Sequence, residues 1–441
     1  MSGLEIGVLG FVILLILLAV RIPIAVAMLT VGLVGYLIIA GPAALLSYLK
    51  GEMYWRFTTF DLSVVPLFVL MGQFAAKAGL SQALFKAANV WLGHYRGGIA
   101  MAAVGGCGGF GAISGSSLAT AATMGQVALP ELKRYNYAGS LATGALAAGG
   151  TLGILIPPSV VLIIYAIMVE ANIVTLFQAA FIPGILAALG YMATIAIVVR
   201  INPEAGPAGP KATRSEQFLA LLDIWPVIVI FLLVMGGIYL GFFTPTEGAG
   251  VGSVGTFLIA LSRGGMKFKD FIDALMSTAT TTALIFLILL GAAVFNAFLG
   301  FSQLPLAAAT FFKESGLPPM SVLLMMVVLF IMLGFVMDSL SMILLTVPIF
   351  WPIIAVLDFG LAPEDLKLWF GIITLIVVEV GLITPPVGLN VFVINSMAKD
   401  VPMIETFKGV VPFFVSDGIR VAFIIFFPAI TLILPRLFGS E

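Results

Sequence analysis

Apolar residues in this chain form long runs that are separated by short polar junctions. A helix that crosses a bilayer needs about 20 mostly apolar residues, and ten of the runs approach that length. The pattern therefore predicts ten membrane-spanning helices. They lie near residues 4–20, 23–41, 62–79, 137–168, 176–199, 218–241, 247–262, 279–298, 369–396 and 409–434.

Two further apolar segments fit poorly as single spans because polar residues interrupt them at the centre. Residues 99–129 are rich in Gly, Ala and Ser and are broken at 114–117, and residues 321–352 are broken at 338–341. We predict that each segment enters the membrane as a helical hairpin and returns to the side from which it came. The predicted fold class is thus an all-α polytopic membrane protein with two re-entrant hairpins.

The composition agrees with a membrane protein and excludes several other classes. Of the 441 residues, 61% are hydrophobic and only 9% are charged, whereas soluble domains carry about 25% charged residues. The 20 basic residues are balanced by 21 acidic ones, which leaves no basic surface for nucleic acid. One Cys and one His, His94, exclude a disulfide framework and a Cys/His metal cluster.

Basic residues are distributed unequally between the two sides of the membrane. With an outer N-terminus and hairpins that do not cross, fourteen basic residues lie on one side, five on the other and Arg420 within a span. The richer side is therefore predicted to be cytoplasmic, with both termini on the opposite side. The fourteen are Arg21, Lys77, Lys86, Arg96, Lys133, Arg134, Arg200, Lys211, Arg214, Arg263, Lys267, Lys269, Lys399 and Lys408.

Sequence landmarks recur in the same order about 219 to 229 residues apart, which predicts an internal repeat. The matching pairs are Pro23 and Pro245, Gly72 and Gly291, Gly79 and Gly300, Pro157-Pro158 and Pro385-Pro386, and Pro183 and Pro412. Each half contains five predicted spans, so the second half should be inverted. We expect repeats at 1–199 and 218–441, joined by a cytoplasmic linker at 200–217. Such inverted repeats are typical of secondary transporters.

Four interrupted segments are candidates for the binding site: the hairpin tips at 111–117 and 334–341, and the breaks at 149–159 and 381–390. A Pro-Pro pair removes two backbone donors and breaks a helix. The freed carbonyls need a partner within the membrane. Carbonyl and hydroxyl oxygens suit sodium, and helix N-termini favour an anionic substrate.

We expect each tip to form a sodium site with the break of its own half. The sodium candidates are Ser114, Ser116, Gly150, Thr151 and Pro157 in the first half, and Asp338, Ser339, Ser341, Gly381, Thr384 and Pro386 in the second. The candidates for binding a substrate carboxylate between the tips are Gly115, Ser117, Ser159 and Asn390.

The remaining charges within apolar segments have less definite roles. Glu379 precedes the second break and is assigned either to the site or to helix packing. Asp417 and Arg420 are spaced three residues apart on one predicted helix and should neutralise each other.

The tip and break motifs together resemble those of the large membrane subunit of tripartite ATP-independent periplasmic (TRAP) transporters. The relevant motifs are residues 111–117, 153–159 and 381–388, and the resemblance extends over the whole chain. It implies sodium-coupled uptake of an organic acid across a bacterial inner membrane, without a cofactor. It further implies a periplasmic binding protein, a small four-helix membrane subunit that is a separate polypeptide, and an elevator-type movement.

Three other functions remain as alternatives. A stand-alone sodium–anion symporter would share the Pro-Pro breaks but need no partners, so neighbouring genes for a small subunit and a binding protein would distinguish it. An intramembrane hydrolase using Ser114 or Ser116 lacks a base, because His94 lies outside the site segments. A channel fits poorly for two reasons. Two inverted halves with occluding hairpins indicate alternating access, and the sequence shows no ring of repeated charges.

Overall fold

The computed structural model describes residues 1–335 and 337–438, except for the side chains of residues 53 and 55–57. Within these ranges the regular structure is entirely helical. The helices of the first half are α1 (Gly3–Ala19), α2 (Ile24–Thr58), α3 (Val64–Lys77), α4 (Leu80–Leu92), α5 (Gly98–Ser114), α6 (Ser117–Arg134), α7 (Gly139–Leu155), α8 (Val160–Val169) and α9 (Ile173–Ile201).

The second half contains the remaining twelve helices of the described residues. They are α10 (Arg214–Asp223), α11 (Trp225–Phe231), α12 (Gly237–Tyr239), α13 (Pro245–Ser262), α14 (Phe268–Ser302), α15 (Leu304–Glu314), α16 (Pro319–Gly334), α17 (Ser339–Ala355), α18 (Pro363–Gly381), α19 (Leu389–Met397), α20 (Met403–Phe426) and α21 (Ala429–Phe438). Residues 232–236, between α11 and α12, form a π-helical turn.

Every predicted span coincides with one to three helices, and each predicted hairpin coincides with a pair of consecutive helices. Among the described residues, five helical segments are long and apolar enough to cross a membrane by themselves: 24–52, 60–77, 173–201, 268–302 and 403–426. Two further spans are bent pairs, α7 with α8 at 46° and α10 with α11–α12 at 42°. The protein is therefore an all-α, multi-pass membrane protein.

The helix order of the first half recurs in the second. In both halves a hairpin (α5–α6 or α16–α17) precedes a broken helix (α7–α8 or α18–α19), and a long helix follows (α9 or α20). In both breaks the peptide bond between the two prolines is cis. The recurrence supports the predicted repeat, while the inverted orientation of the halves stays a prediction.

Four of the predicted spans were wrong in their extent or continuity. The span at 279–298 is part of the longer helix α14, which begins at Phe268. The span at 409–434 is two helices, because Pro428 lacks an N–H and holds Phe427 at φ −125°, ψ 74°, outside the helical region. The second span continues beyond residue 41 to Thr58, after a kink at Gly41 (φ 82°). The span at 218–241 is not one straight helix but bends between α10 and α11.

Two helices were not predicted at all, α4 and α15. Each follows a residue with positive φ, Gly79 (φ 72°) or Gln303 (φ 58°), that ends the preceding long helix. Their lengths of 13 and 11 residues are too short to span a bilayer. Gly79 therefore marks the start of the short helix in the first half, whereas in the second half Gln303 does so and Gly300 lies within α14.

The linker between the halves is held against the ends of the hairpin and the first broken helix. The Gly97 N–H donates to the Gly206 carbonyl at 2.9 Å, and the Ala138 N–H donates to the Ala205 carbonyl at 2.9 Å. The Gly209 N–H donates to the Gly93 carbonyl at 2.8 Å. Residues 205–209 of the predicted linker are thus hydrogen-bonded to residues next to α4, α5 and α7.

The predicted topology can be tested by thiol labelling from each side of the membrane. Cysteine at Glu5 should react from the periplasm and cysteine at Glu204 from the cytoplasm only, because the charge distribution places them there. Both residues are exposed, and the native Cys107 is buried and serves as the unreactive background. Gly206 is unsuitable because it is buried, and Glu441 lies outside the described residues. Cytoplasmic labelling at Glu5 would contradict the assigned orientation.

Candidate functional site

The first hairpin tip turns between α5 and α6 on two residues. Gly115 adopts the left-handed conformation (φ 60°) that ends α5, and Ser116 caps α6 by accepting the Ala119 N–H at 3.4 Å. The Ser114 hydroxyl is hydrogen-bonded to the Thr120 hydroxyl at 2.8 Å. The tip is therefore a compact, internally bonded turn whose hydroxyls lie beside a helix N-terminus.

The first tip packs directly on the first helix break. A Cβ atom added at Gly111 would lie 2.6 Å from the Gly153 Cα, and one added at Gly115 would lie 2.9 Å from the Pro158 carbonyl oxygen. Both distances are too short for a side chain, so glycine is required for this approach. The contact joins the tip of the first hairpin to the break of the same half, as predicted.

The second tip has the same plan with an acidic residue at its centre. Asp338 caps α17: its carboxylate accepts the Ser341 N–H at 3.3 Å and also the Ser341 hydroxyl. A Cβ atom added at Gly334 would lie 2.7 Å from the Gly381 Cα, so this tip also packs on the break of its own half. Val336, within the predicted tip segment, lies outside the described residues.

The two breaks differ in their exposure. At the first break, Ser159 caps α8 by accepting the Leu162 N–H at 3.4 Å, and the two prolines are buried. At the second break, Pro385 and Pro386 are exposed, and the Thr384 hydroxyl donates to the Val380 carbonyl. The second break is thus exposed and the first is buried in this structure.

The two tips meet at the carboxylate of Glu379. This side chain is 1% exposed, and its Oε1 atom accepts the Ser339 hydroxyl at 3.0 Å and the Ser117 hydroxyl at 3.4 Å. Its Oε2 atom is buried without a hydrogen-bond partner among the described residues. Glu379 was not among the predicted ligands, although a lone acidic residue in the apolar run 372–380 was a signal for it.

Several predicted sodium candidates are bonded within the protein core. The Thr151 hydroxyl donates to the Ala148 carbonyl at 2.6 Å and is hydrogen-bonded to the Tyr191 hydroxyl at 3.0 Å. Gly150 lies against Ala121 of α6, whereas Gly153, which was not among the candidates, contacts the tip. The structure thus brings Ser114 and Ser116 together at the first tip, with Pro158 rather than the predicted Pro157 in contact with it, and it places Thr151 in a separate network.

That network contains the predicted Asp417–Arg420 pair, whose pairing is confirmed. The Arg420 Nη2 atom lies 2.6 Å from Asp417 Oδ1, and both side chains are buried. The Tyr191 hydroxyl donates to Asp417 Oδ2 at 2.8 Å. A buried, hydrogen-bonded ion pair of this kind is not available to an anionic substrate.

The predicted substrate residues are enclosed in this structure. Ser159 and Asn390 are 0% exposed and Ser117 is 1% exposed, and Gly115 is buried. The Asn390 Nδ2 atom donates to the Ala147 carbonyl at 3.3 Å, and its Oδ1 atom has no partner within the described part of the chain. Asn390 therefore connects the second broken helix to the first, and a role in substrate binding stays a prediction.

The C-terminal ends of α6 and α19 carry an ion pair. Lys133, at the end of α6, lies 2.5 Å from Asp400 in the turn after α19. The hydrogen bond from Lys133 lowers the pKa of the Asp400 carboxyl. This pair joins the first hairpin to the second broken helix outside the membrane-spanning segments.

A family comparison agrees with this arrangement. The model of the "Tripartite ATP-independent periplasmic transporter, DctM component" matches residues 11–430. The chain belongs to this family. Its relatives are transporter permeases, so the protein is a TRAP transporter large permease and not an enzyme.

Curated relatives within the family carry different substrate names. The C4-dicarboxylate TRAP transporter large permease protein DctM of Pseudomonas aeruginosa is 35% identical, over 87% of this chain and 88% of its own length. The sialic acid TRAP transporter large permease protein SiaM of Vibrio cholerae is 31% identical, over 96% of each chain. The isethionate TRAP transporter permease protein DctMQ of Oleidesulfovibrio alaskensis is 30% identical, over 87% of this chain and 59% of its own length.

A solved structure shares the fold. The YdaH transporter of Alcanivorax borkumensis superimposes with a TM-score of 0.64, over 88% of this chain and 89% of its own. The sequence identity is 15%, so this similarity supports the transporter fold and carries no information on the substrate.

Proposed function

We propose that this TRAP permease takes up a small organic acid together with sodium by an elevator-type movement. The acid is delivered by a periplasmic binding protein, and a small four-helix membrane subunit docks on the permease. The complex resides in a bacterial inner membrane with both permease termini in the periplasm. The hydrolase alternative has no support, since the relatives are permeases.

The observation that carries this proposal is the meeting of both hairpin tips at one buried carboxylate. Each tip packs by glycine on the helix break of its own half, and Glu379 accepts a hydroxyl from each tip. A small movement of either tip must therefore change the surroundings of the other. This geometry supports two cation sites that open and close together.

The charges support a cation as the coupling ion. Asp338 and Glu379 lie at the tips, and Arg420 is already paired with Asp417. An organic anion that approached these carboxylates alone would be repelled. Sodium bound at hydroxyl, carbonyl and carboxylate oxygens removes that repulsion, so anion binding becomes dependent on sodium.

The proposal can be tested by uptake into proteoliposomes that contain the permease and its small subunit. Labelled succinate, N-acetylneuraminate and isethionate are offered with the candidate binding protein, under an inward sodium gradient or with potassium in its place. We expect uptake of one acid only when both sodium and the binding protein are present. Equal uptake in potassium across a range of pH would instead indicate protons as the coupling ion. Uptake without the binding protein would favour the stand-alone symporter.

Removing one tip hydroxyl should weaken sodium binding in a graded way. Ser116→Ala and Ser341→Ala should each raise the sodium concentration for half-maximal uptake by about fivefold, because a lost oxygen ligand costs roughly 1 kcal/mol by analogy with a hydrogen bond. Asp338→Asn should also change how steeply uptake depends on sodium.

Ser116 is also a helix cap, so the matched control is the loss of a cap elsewhere. Thr244 caps α13 by accepting the Glu247 N–H at 3.3 Å, far along the chain from either tip. Thr244→Ala should lower stability by about 1 kcal/mol and leave the sodium dependence unchanged. An equal shift in Thr244→Ala and Ser116→Ala would contradict a ligand role for Ser116.

A further inference from the structure

A cavity of about 280 Å³ separates the second hairpin tip from the turn between α1 and α2. One wall is formed by residues 18 and 21–24 of that turn, and the other by Met337, Asp338, Ser341 and Leu389. The volume lies near the lower end of small-molecule sites, which begin at roughly 300 Å³. The cavity is therefore large enough for a small organic acid beside the exposed second break.

Arg21 is the basic residue in the lining of this cavity. It is exposed, and it stands in the left-handed backbone conformation (φ 68°), which is uncommon for a residue other than glycine. Its N–H donates to the Leu18 carbonyl at 2.9 Å, which holds the turn in place. Within the described part of the chain, no carboxylate forms an ion pair with Arg21.

Arg420, the basic residue that the sequence places within a span, is not available in the same way. Arg420 is 7% exposed and bonded to Asp417, and it is absent from the cavity lining. A carboxylate that entered this cavity would thus meet one guanidinium, on the wall opposite Asp338. An arginine offers two parallel N–H donors that match the two oxygens of a carboxylate.

We infer that Arg21 binds a carboxylate of the transported acid when the acid lies beside the second tip. This inference rests on the proposed transport of an organic acid, and it assigns a residue to substrate recognition that lies outside both tips and both breaks. Asp338, on the opposite wall, remains the proposed sodium ligand. The acid therefore binds between the sodium ion and Arg21.

The two walls of the cavity come from different helix pairs. The turn with Arg21 connects α1 and α2, which pack on each other and on α14, whereas the second tip connects α16 and α17, which pack on each other and on α18; α14 also contacts α17. If the tip moves relative to α1–α2, as an elevator requires, the Arg21 contact exists at one end of the movement only. Arg21 therefore affects substrate affinity on one side of the membrane more than on the other.

The test measures exchange of labelled succinate at saturating sodium, in proteoliposomes that contain the permease and its partner proteins. If the uptake experiment above identifies N-acetylneuraminate as the transported acid, that acid is used instead. Arg21→Gln should raise the half-saturating concentration by about tenfold or more, as expected for the loss of a charged hydrogen bond. Arg21→Lys retains the charge without the paired donors and should give a smaller increase. Arg200→Gln removes an exposed basic residue outside the cavity and should have no effect.

An analogue with one carboxylate fewer separates direct contact from a structural effect. Succinamate has one carboxylate of succinate replaced by an amide. In the wild type it should inhibit exchange of labelled succinate more weakly than unlabelled succinate does. In Arg21→Gln the difference between the two inhibitors should be smaller. Equal half-saturating concentrations in the wild type and Arg21→Gln would overturn the inference, and so would an undiminished difference between the two competitors. Absence of acid exchange in the wild type would contradict the proposed function itself.

Discussion

Replacing Glu379 by Ala should reduce sodium-driven uptake about a hundredfold. The carboxylate accepts hydroxyls from Ser117 and Ser339 inside the protein. Its removal leaves both hydroxyls without their acceptor and opens a cavity between the tips. Each unsatisfied buried hydroxyl costs roughly 1–3 kcal/mol, so a combined loss of about 3 kcal/mol corresponds to this factor. Initial uptake rates, normalised to the amount of folded permease, provide the measurement.

Two further variants separate the bridging role from charge and from general damage. Glu379→Gln keeps an oxygen that can accept hydrogen bonds from both hydroxyls, so its uptake rate should fall by tenfold or less. Glu364→Ala removes an exposed acid at the start of the same helix and should behave like the wild type, because a surface ion pair contributes little. Uptake at the wild-type rate in folded Glu379→Ala would show that the tips do not depend on this carboxylate.

Replacing either proline pair, Pro157-Pro158 or Pro385-Pro386, by Ala-Ala should abolish measurable uptake while the protein still inserts and purifies. The prolines cannot donate backbone hydrogen bonds, so they keep α7 separate from α8 and α18 separate from α19. Alanine restores the donors, and a continuous helix would consume the carbonyls proposed to bind sodium. Each lost carbonyl costs roughly 1–3 kcal/mol of ion-binding free energy, by analogy with a charged hydrogen bond.

Prolines within continuous helices supply the control for this experiment. Pro183 lies inside α9 and Pro412 inside α20, and neither helix is interrupted there. Pro183→Ala and Pro412→Ala should retain sodium-dependent uptake, since they change a helix without closing a break. Unchanged sodium dependence in both Ala-Ala variants would remove the breaks from the mechanism.

The fold was largely predictable because, in a membrane protein, the length of each apolar run and its interruptions indicate each helix locally. Gly, Ser and Pro inside an apolar run interrupt a helix wherever they cluster, and the hairpins and breaks were found in this way. The short helices α4 and α15 were missed because their length matches no spanning rule. Pro428 was a readable signal for the end of α20, but a nearly continuous apolar run concealed it.

The site was predictable in its segments and less so in its contacts. The sequence placed the tips beside the breaks, and Gly111 against Gly153 fulfils that expectation. It could not show that Ser117 and Ser339, which are 222 residues apart, share one carboxylate. Nor could it show that Arg21 borders the second tip, because that proximity depends on how α1–α2 packs against the rest of the protein.

The bonded linker limits how far one half of the molecule can travel past the other. Residues 205–209 are fastened to the bases of α5 and α7, and α10 begins at Arg214. Only residues 210–213 are therefore left to lengthen, and four fully extended residues reach about 14 Å. The start of α10 therefore cannot move farther from the base of α5 than residues 210–213 can extend, unless the hydrogen bonds at 205–209 break.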